Sequence, residues 1–530
     1  MAADIAAARQ LGDAPAKATL TDWLAVIAGI MGAFMAALDI SVTNASLAQI
    51  QGELGATGSE GSWIATGYLA AEIVMIPLTA WFVRVLGLRT FLLLMVAGFT
   101  FFSVGCGIST SLRELILWRV GQGFTGGAMI PTAMTIVTLR LPPAQRPIGF
   151  AVFGLTAVIS PLFGPLVGGW LTDNINWHYI FFLNLPVGAA LITLLLIGLP
   201  HQVSRLSEFG RADFVGIAGL ILGLGGLTIM LEEGQREQWF ESHLVVGTAI
   251  AAALGALLTA ISQATNPRPV IKLKLVLNRG FGGAFVVSLV VGAVLYALPY
   301  IIPVFLGGLA GYSAEATGKV VLISGIPSIL LLPMMPFLVR KIDLRWLAAA
   351  GLLVLALSCL TNAGMTLDTG GDQLVIPQLL RGLGQALVMT PLGQASTASV
   401  ALEDAGDASG LFNMARNLGG SLGLALTATL IDVRSAFHAA EISQSLTANN
   451  PAGQAFVSQL GAGATASSGD PSAGIHAGLQ QLAQIIQGQA LVMTYADCFF
   501  VLGVALLVVL PLVMLLRPLS AGATLSTESH

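Results

Sequence analysis

Ala80-Trp81-Phe82-Val83-Arg84-Val85-Leu86-Gly87-Leu88-Arg89 returns later in the chain as Pro336-Phe337-Leu338-Val339-Arg340-Lys341-Ile342-Asp343-Leu344-Arg345. Val, Arg, Leu and Arg recur at matching positions, and each decamer follows a long apolar run. Two runs farther on, each half carries a stretch rich in Arg, Gln and Gly: Arg119-Val120-Gly121-Gln122-Gly123, then Arg381-Gly382-Leu383-Gly384-Gln385. The order of landmarks is kept over an offset of 256 to 262 residues. A repeat on this scale predicts two homologous halves. Paired membrane halves around a midplane site are the architecture of alternating-access transporters.

Composition sets the medium. The chain has 530 residues, of which 55% are hydrophobic and only 9% charged, against about 25% charged in a soluble domain. Mean hydropathy is +0.84. Such a chain cannot cover itself with charge in water. The composition excludes a disordered chain, a nucleic-acid binder and a secreted disulfide scaffold. Continuous apolar runs of roughly 20 residues exclude an outer-membrane barrel, whose strands alternate over about 10. The fold class is therefore an all-α polytopic membrane protein. Cys106, Cys359 and Cys498 sit far apart in apolar runs and read as small buried hydrophobes. Met1 to Asp22 lacks the layout of a removable leader, so the first span is expected to be an uncleaved anchor.

Fourteen runs read as spans: Trp23–Leu47, Trp63–Val83, Thr90–Thr110, Leu115–Leu139, Gly149–Trp170, Tyr179–Leu199, Phe214–Leu231, Leu244–Ile261, Phe281–Leu306, Gly318–Val339, Leu344–Asn362, Leu374–Ala401, Gly410–Ile431 and Ala490–Leu516. With both termini on one side, 16 of the 23 Lys and Arg fall in segments on that side and 4 on the other. This bias assigns the termini to the cytoplasm. The expected organisation is a tail (1–22), a six-helix bundle (23–200), two inserted spans (201–265), a second six-helix bundle (266–516) and a tail (517–530). The second bundle includes a long outer segment, 432–489, read as a partly helical, solvated loop.

An ionisable side chain at the bilayer centre costs about 2.5–3.5 kcal/mol on insertion scales, so each needs a reason. Asp39 in the first span, Glu72 in the second and Arg119 in the fourth fall at one depth, roughly 10–15 Å below the outer surface at 1.5 Å per residue. Two acids and a base at one level can pair. The functional reading is a proton relay: a carboxyl that exchanges burial for contact with Arg119 takes up a proton on one side and releases it on the other. The competing reading is a static ion pair. Arg381 reads as the structural counterpart of Arg119. Arg416 reads as a base that snorkels to the inner face, and Asp497 as an interfacial acid. Gln122, Gln385 and Glu72 are candidate contacts for substrate.

The fifth span reads Ser160-Pro161-Leu162-Phe163-Gly164-Pro165-Leu166-Val167-Gly168-Gly169. Gly164 and Gly168 lie four apart, so a neighbouring helix can approach closely. Pro161 and Pro165 each remove a backbone hydrogen bond and bend the helix. Gly121-Gln122-Gly123-Phe124-Thr125-Gly126 fits G-x-G-x-x-G but follows an apolar helix, which argues against dinucleotide binding. Gly311 to Lys319 lacks the spacing of a phosphate-binding loop. The six histidines are scattered and suggest no metal ligand set. No cofactor is expected.

Together these residues resemble the major facilitator superfamily, and within it the 14-span drug:proton antiporters of the EmrB/QacA type. Leu38-Asp39-Ile40-Ser41-Val42-Thr43-Asn44-Ala45 is similar to that group's L-D-x-T-I-V-N-V-A signature, and Arg119 to Gly123 to its R-x-x-Q-G motif. Gly164-Pro165 with Gly168-Gly169 is similar to the antiporter motif G-P-x-x-G-G. Trp177-His178-Tyr179-Ile180-Phe181-Phe182-Leu183-Asn184-Leu185-Pro186-Val187-Gly188 resembles W-R-W-I-F-x-I-N-V-P-I-G, and Phe412 to Gly420 resembles F-N-x-x-R-x-x-G-G. The resemblance implies the major facilitator fold with two extra central spans. It also implies proton-driven export of amphipathic or lipophilic drugs across the bacterial inner membrane, with Asp39 and Arg119 in coupling. Implied partners are the substrates, protons, the lipid bilayer, a periplasmic adaptor and an outer-membrane channel, and no nucleic acid. One departure stands out: the superfamily pattern G-x-L-x-D-R-x-G-R has Arg84 where its Asp belongs, so that gating acid is not carried over. Exporters of one metabolite or lipid, a membrane-embedded enzyme and a scaffold remain the alternatives.

Overall fold

The computed structural model describes residues 17–445, 451–468 and 471–516; residues 1–16 and the tail 517–530 lie outside it. Among the described residues every regular element is helical. Helix occupies all fourteen expected places. Ten helices are long and apolar enough to cross a bilayer, and the bent helix Arg146–Asn174 makes an eleventh. The other three places hold Leu112–Gly126 with Met129–Arg140, Val375–Ala398, and Ala405–Ser445. These three carry Arg119, Arg381 and Arg416 together with many glycines, so they are the least apolar. A helix shielded by its neighbours can afford polar residues that a lipid-facing helix cannot.

The two halves repeat one packing scheme. The first span (Leu20–Ala45) packs on the fourth, fifth and sixth, while the second (Gly58–Leu86) and third (Leu88–Gly107) pack on the fourth. In the other half the ninth span (Arg279–Gly308) packs on the thirteenth, and the eleventh (Leu344–Asn362) on the twelfth and fourteenth. The seventh (Phe214–Glu233) and eighth (His243–Thr265) pack on each other, and the seventh also touches the second and thirteenth spans. Their contact is backbone on backbone: a Cβ on Gly226 would come within 2.8 Å of the Thr248 carbonyl oxygen. A π-helical turn at Ile221–Gly225 interrupts the seventh span along this seam, a local adjustment that lets two helices keep close register.

Asp213 ties the inserted pair together at its basic end. The carboxylate caps the seventh span, accepting from Gly216 N at 2.9 Å. It also accepts from Val270 N at 3.2 Å and from the Ser262 hydroxyl. Burial alone raises this acid, but hydrogen bonds from Ser262, Gly216, Val270 and Asn266 outweigh it and hold Asp213 below the ordinary value.

Proline and glycine act as the pattern predicts in the fifth span. The helix bends by 40° between Pro161 and Phe163. A Cβ on Gly164 would overlap the Ser41 side chain and sit 2.8 Å from the Ser41 carbonyl carbon; one on Gly168 would sit 2.8 Å from the Val42 carbonyl oxygen. Gly169 meets nothing within 4 Å, so it takes no part in this contact. Below these glycines Ser46 Oγ bonds Thr172 Oγ1 at 2.7 Å.

In the segment 432–489, read as partly helical, the described residues are helical. The thirteenth helix continues to Ser445, a separate helix spans Pro451–Ser468, and Pro471–Val509 runs unbroken into the last span. The carbonyl of Val457 lies against Gly478, which lets the two later helices pack as a hairpin.

Two outcomes follow. Gly164→Ala lowers the melting temperature of the purified protein through a loss of about 1–3 kcal/mol of packing, whereas Gly169→Ala leaves it unchanged. Because Asp213 is held below its unfolded value, its contribution is full at neutral pH and is lost as pH falls through the folded value. Asp213→Asn therefore lowers stability at pH 7 and flattens the decline in melting temperature between roughly pH 5 and pH 3.

Candidate functional site

The charges foreseen in the first half form one buried network. Arg119 Nη1 donates to Asp39 Oδ2 at 2.5 Å, and both side chains are 1% exposed. The other carboxylate oxygen, Oδ1, accepts from Gln122 Nε2 at 2.9 Å and from Asn184 Nδ2 at 2.8 Å. Arg119 Nη1 also donates to Gln122 Oε1 at 2.7 Å, and its Nε to the Ile64 carbonyl at 3.3 Å. The guanidinium lies 4.2 Å from the centre of the Tyr68 ring. Asn184 donates further to Ser103 Oγ at 2.9 Å, and Ser103 to the Phe181 carbonyl at 2.8 Å. Five spans thus contribute to one ion pair. The hydrogen-bond partners of the carboxylate, Arg119, Gln122 and Asn184, all donate to it. Gln122 is fully buried and bonds both Asp39 and Arg119.

Asn184, Tyr68 and Ser103 were not among the expected site residues. Asn184 stands inside the Trp177–Gly188 motif, and a carboxamide in an apolar helix is the one available signal. Neutral polar residues are cheap enough in a bundle to pass as packing.

Glu72 does not join Arg119 and Asp39 as a third partner. Glycines explain why. Gly123 and Gly127 of the fourth span press on the backbone at Tyr68 and Glu72, while Gly410 of the thirteenth presses on Ile76. The second span therefore crosses from one half to the other at Glu72. The buried Glu72 carboxyl lies in the field of Arg416 and, more weakly, of Arg119, with the Asn417 amide as hydrogen-bond partner. Arg416 is buried rather than snorkelling to an interface. Tyr296 completes this junction, donating to Asn417 Oδ1 at 3.3 Å.

Arg381 repeats Arg119 in sequence but not in pairing. It is buried, donates to Gln378 Oε1 at 3.3 Å, and has no carboxylate within 4.0 Å among the described residues. Cys359 lies within its field as Cys106 lies within that of Arg119, so the repeat preserves the base and the thiol but not the acid. Gln385 is half-buried one turn away. Asp497 is a structural tie: Arg434 Nε donates to it at 2.6 Å, and His438 Nε2 bonds it at 2.8 Å.

Two acids lie just past the expected end of the seventh span at Leu231. Glu233 accepts from Ser62 at 3.1 Å and Thr66 at 2.5 Å on the second span. Its neighbour Glu232 accepts from Ser421 of the thirteenth at 2.7 Å. The inserted helix holds one half with each carboxylate.

Contacts between the halves gather at the basic face. Arg84 Nη1 donates to Asp407 Oδ2 at 2.6 Å, Lys272 pairs with Asp404 and stands 3.9 Å from Asp407, Ser409 donates to the Pro131 carbonyl at 2.7 Å, and Arg340 to the Ala144 carbonyl at 2.8 Å. Toward the other face the fifth span exposes Phe163, Leu166 and Trp170, and the tenth exposes Ile326 and Leu330.

Residues 29–424 match the Major Facilitator Superfamily over most of the chain. The chain belongs to that superfamily. Its relatives include the colistin resistance protein EmrB of Acinetobacter baumannii, 33% identical over 436 residues that make up 82% of this chain and 85% of that protein. The multidrug export protein EmrB of Escherichia coli is 31% identical over 496 residues, 93% and 94% of the two chains. Among solved structures the proton:xylose symporter XylE, bound to 6-bromo-6-deoxy-D-glucose, superposes with a TM-score of 0.58 at 12% identity over 91% of this chain and 94% of that one; this likeness speaks for the major facilitator fold alone.

Arg84 stands where the superfamily pattern has Asp, and it pairs with an acid, Asp407, across the interface. Arg84→Asp places two acids face to face around a buried carboxylate, at a cost of about 1–3 kcal/mol. Asp407→Arg does the same with bases. The exchange Arg84→Asp with Asp407→Arg recovers part of the lost melting temperature but stays below the original, because each new charge opposes its own helix end and the base at 407 meets Lys272.

Proposed function

We propose that the chain is a proton-coupled antiporter exporting amphipathic or lipophilic compounds, drugs among them, by alternating access. The observation that carries this reading is the Asp39–Arg119 pair, an ionised couple sealed among donors in one half of a two-bundle membrane protein. When Arg119 withdraws as the bundles rock, the Asp39 carboxyl loses its counter-charge and takes a proton. When Arg119 returns, it displaces that proton. Arg119 stays charged throughout and is the competitor, not the carrier. Glu72, at the junction with Arg416 and Tyr296, is the second acid, placed to bind a cationic substrate or a second proton. The driving force suffices: one proton crossing 100 mV releases about 2.3 kcal/mol, enough for a roughly 50-fold gradient of a neutral solute.

On this reading both termini are cytoplasmic, the basic face is the inner face, and the membrane is the bacterial inner membrane. The halves are 23–200 and 266–516, with 201–265 inserted between them. Contacts between the halves at the basic face support an outward-facing state. The helical hairpin of the outer segment is the candidate contact for a periplasmic adaptor leading to an outer-membrane channel, partners suggested by the likeness to EmrB.

Everted vesicles with an imposed pH gradient test the coupling. Asp39→Asn inserts normally but loses proton-driven drug uptake by about tenfold or more. It also leaves Arg119 buried without a counter-charge, which costs about 3–5 kcal/mol. Asp39→Asn with Arg119→Gln removes both charges, so stability returns while coupled uptake does not. Normal gradient-driven uptake by either variant would remove Asp39 from the mechanism.

A further inference from the structure

We propose that a cavity on the basic face, between the end of the second span and the segments flanking the inserted pair, binds the phosphate of an anionic lipid headgroup. The cavity measures about 640 Å³, and its lining includes Trp81, Arg84, Arg205, Arg268, Lys272 and Lys274. Five cations face a single carboxylate there, Glu208. Arg84 and Lys272 are engaged with Asp407 and Asp404. Arg205, Arg268 and Lys274 are exposed, and among the described residues no carboxylate stands within 4.0 Å of them. This surplus of positive charge is gathered in one concavity, not spread over a face.

The walls are built and tied. Arg205 N donates to the Val85 carbonyl at 2.7 Å and Ser204 Oγ to the Leu86 carbonyl at 3.1 Å, which fixes the segment after the sixth span against the second. Gln263 Nε2 donates to the Ile271 carbonyl at 2.8 Å, and Arg84 Nη2 to the Val270 carbonyl at 3.3 Å, which fixes the segment before the ninth. The cations are therefore presented from a fixed frame.

Lipid is favoured over a soluble phosphate by what surrounds the charge. The cavity lies where spans end, the level at which headgroups sit, and basic pockets between spans on this side recruit anionic headgroups. Its wall carries Trp81, whose ring meets Phe209 at 5.4 Å. Phe209 is itself exposed, so the Trp81–Phe209 pair gives the wall an apolar rim. A phosphate with acyl chains satisfies both the cations and this apolar rim; a free phosphate satisfies only the first.

Native mass spectrometry of the full chain with phosphatidylglycerol and phosphatidylethanolamine tests the site. The original protein retains phosphatidylglycerol in preference. Arg205→Gln, Arg268→Gln and Lys274→Gln together reduce that retention about tenfold or more without changing retention of phosphatidylethanolamine. Lys274→Gln alone, on an exposed side chain that leaves folding intact, gives a loss of about fivefold. Glycerol phosphate added as competitor leaves the bound lipid in place. Retention of phosphatidylglycerol by the triple variant at the original level would overturn the site. Displacement by glycerol phosphate at equal concentration would overturn the lipid as occupant and assign the cavity to a soluble phosphate.

Discussion

A guanidinium and a carboxylate taken out of water together gain stability only when their remaining hydrogen-bonding positions are filled. That requirement organises the first half of this protein. Asp39 and Arg119 sit on different spans, so satisfying them draws Gln122, Asn184, Ser103 and the Ile64 carbonyl into one network. The fourth span must come close enough for Arg119 to reach both the first span and the backbone of the second. Glycine makes this approach feasible: no side chain could stand at Gly123, against the Tyr68 backbone. The fifth span closes on the first by the same device at Gly164 and Gly168.

The second half repeats the helices but not the chemistry. Arg381 has the burial of Arg119 and a neighbouring cysteine, yet its partner is an amide and not an acid. A fixed positive charge without a carboxylate cannot exchange a proton. Among the described residues the ion pair of Asp39 and Arg119 thus has no counterpart at Arg381. The inserted helix adds a third point of contact. Glu233 and Glu232 are adjacent, yet they reach different halves, so relative motion of the bundles at that end strains one grip or the other.

What could be read from sequence was what stands out against an apolar background. Asp39 and Arg119 are charges in runs of aliphatic residues, and their common depth made them candidates to pair, though it offered Glu72 equally. The glycine spacing of the fifth span foretold its contact, and two prolines foretold its bend. Residues whose neighbourhood depends on tertiary placement were not legible. Asn184 is neutral and lay inside a motif without an assigned role. Glu232 and Glu233 follow the last apolar residue of a span, where acids are ordinarily solvated. Glu72 has the right depth for Arg119 but sits where its helix turns from one bundle to the other, and no pattern along a single helix shows that crossing. Arg416 is near enough to an end to snorkel, and only the packing of Gly292 against its backbone reveals how firmly it is enclosed.

The base at Arg84, where the superfamily pattern has Asp, shows how an ion pair between two helices can keep its attraction with the signs reversed. Coulomb attraction between the second and thirteenth spans depends on the product of the charges, not on which helix carries the acid. Helix direction, however, is not neutral. Arg84 lies in the last turn of its helix, where carbonyl groups favour a cation, and Asp407 lies in the first turn of the next, where amide groups favour an anion. An acid at position 84 would face the carbonyl end of its own helix. The arrangement here agrees with both helix ends, and Lys272 from the segment before the ninth span reinforces it from the same side. The latch is thereby linked to the inserted spans as well as to the two bundles, since Arg84 also holds the Val270 carbonyl and Asp213 holds the Val270 amide. Val270 thereby ties the Arg84–Asp407 contact to the inserted pair through both its carbonyl and its amide.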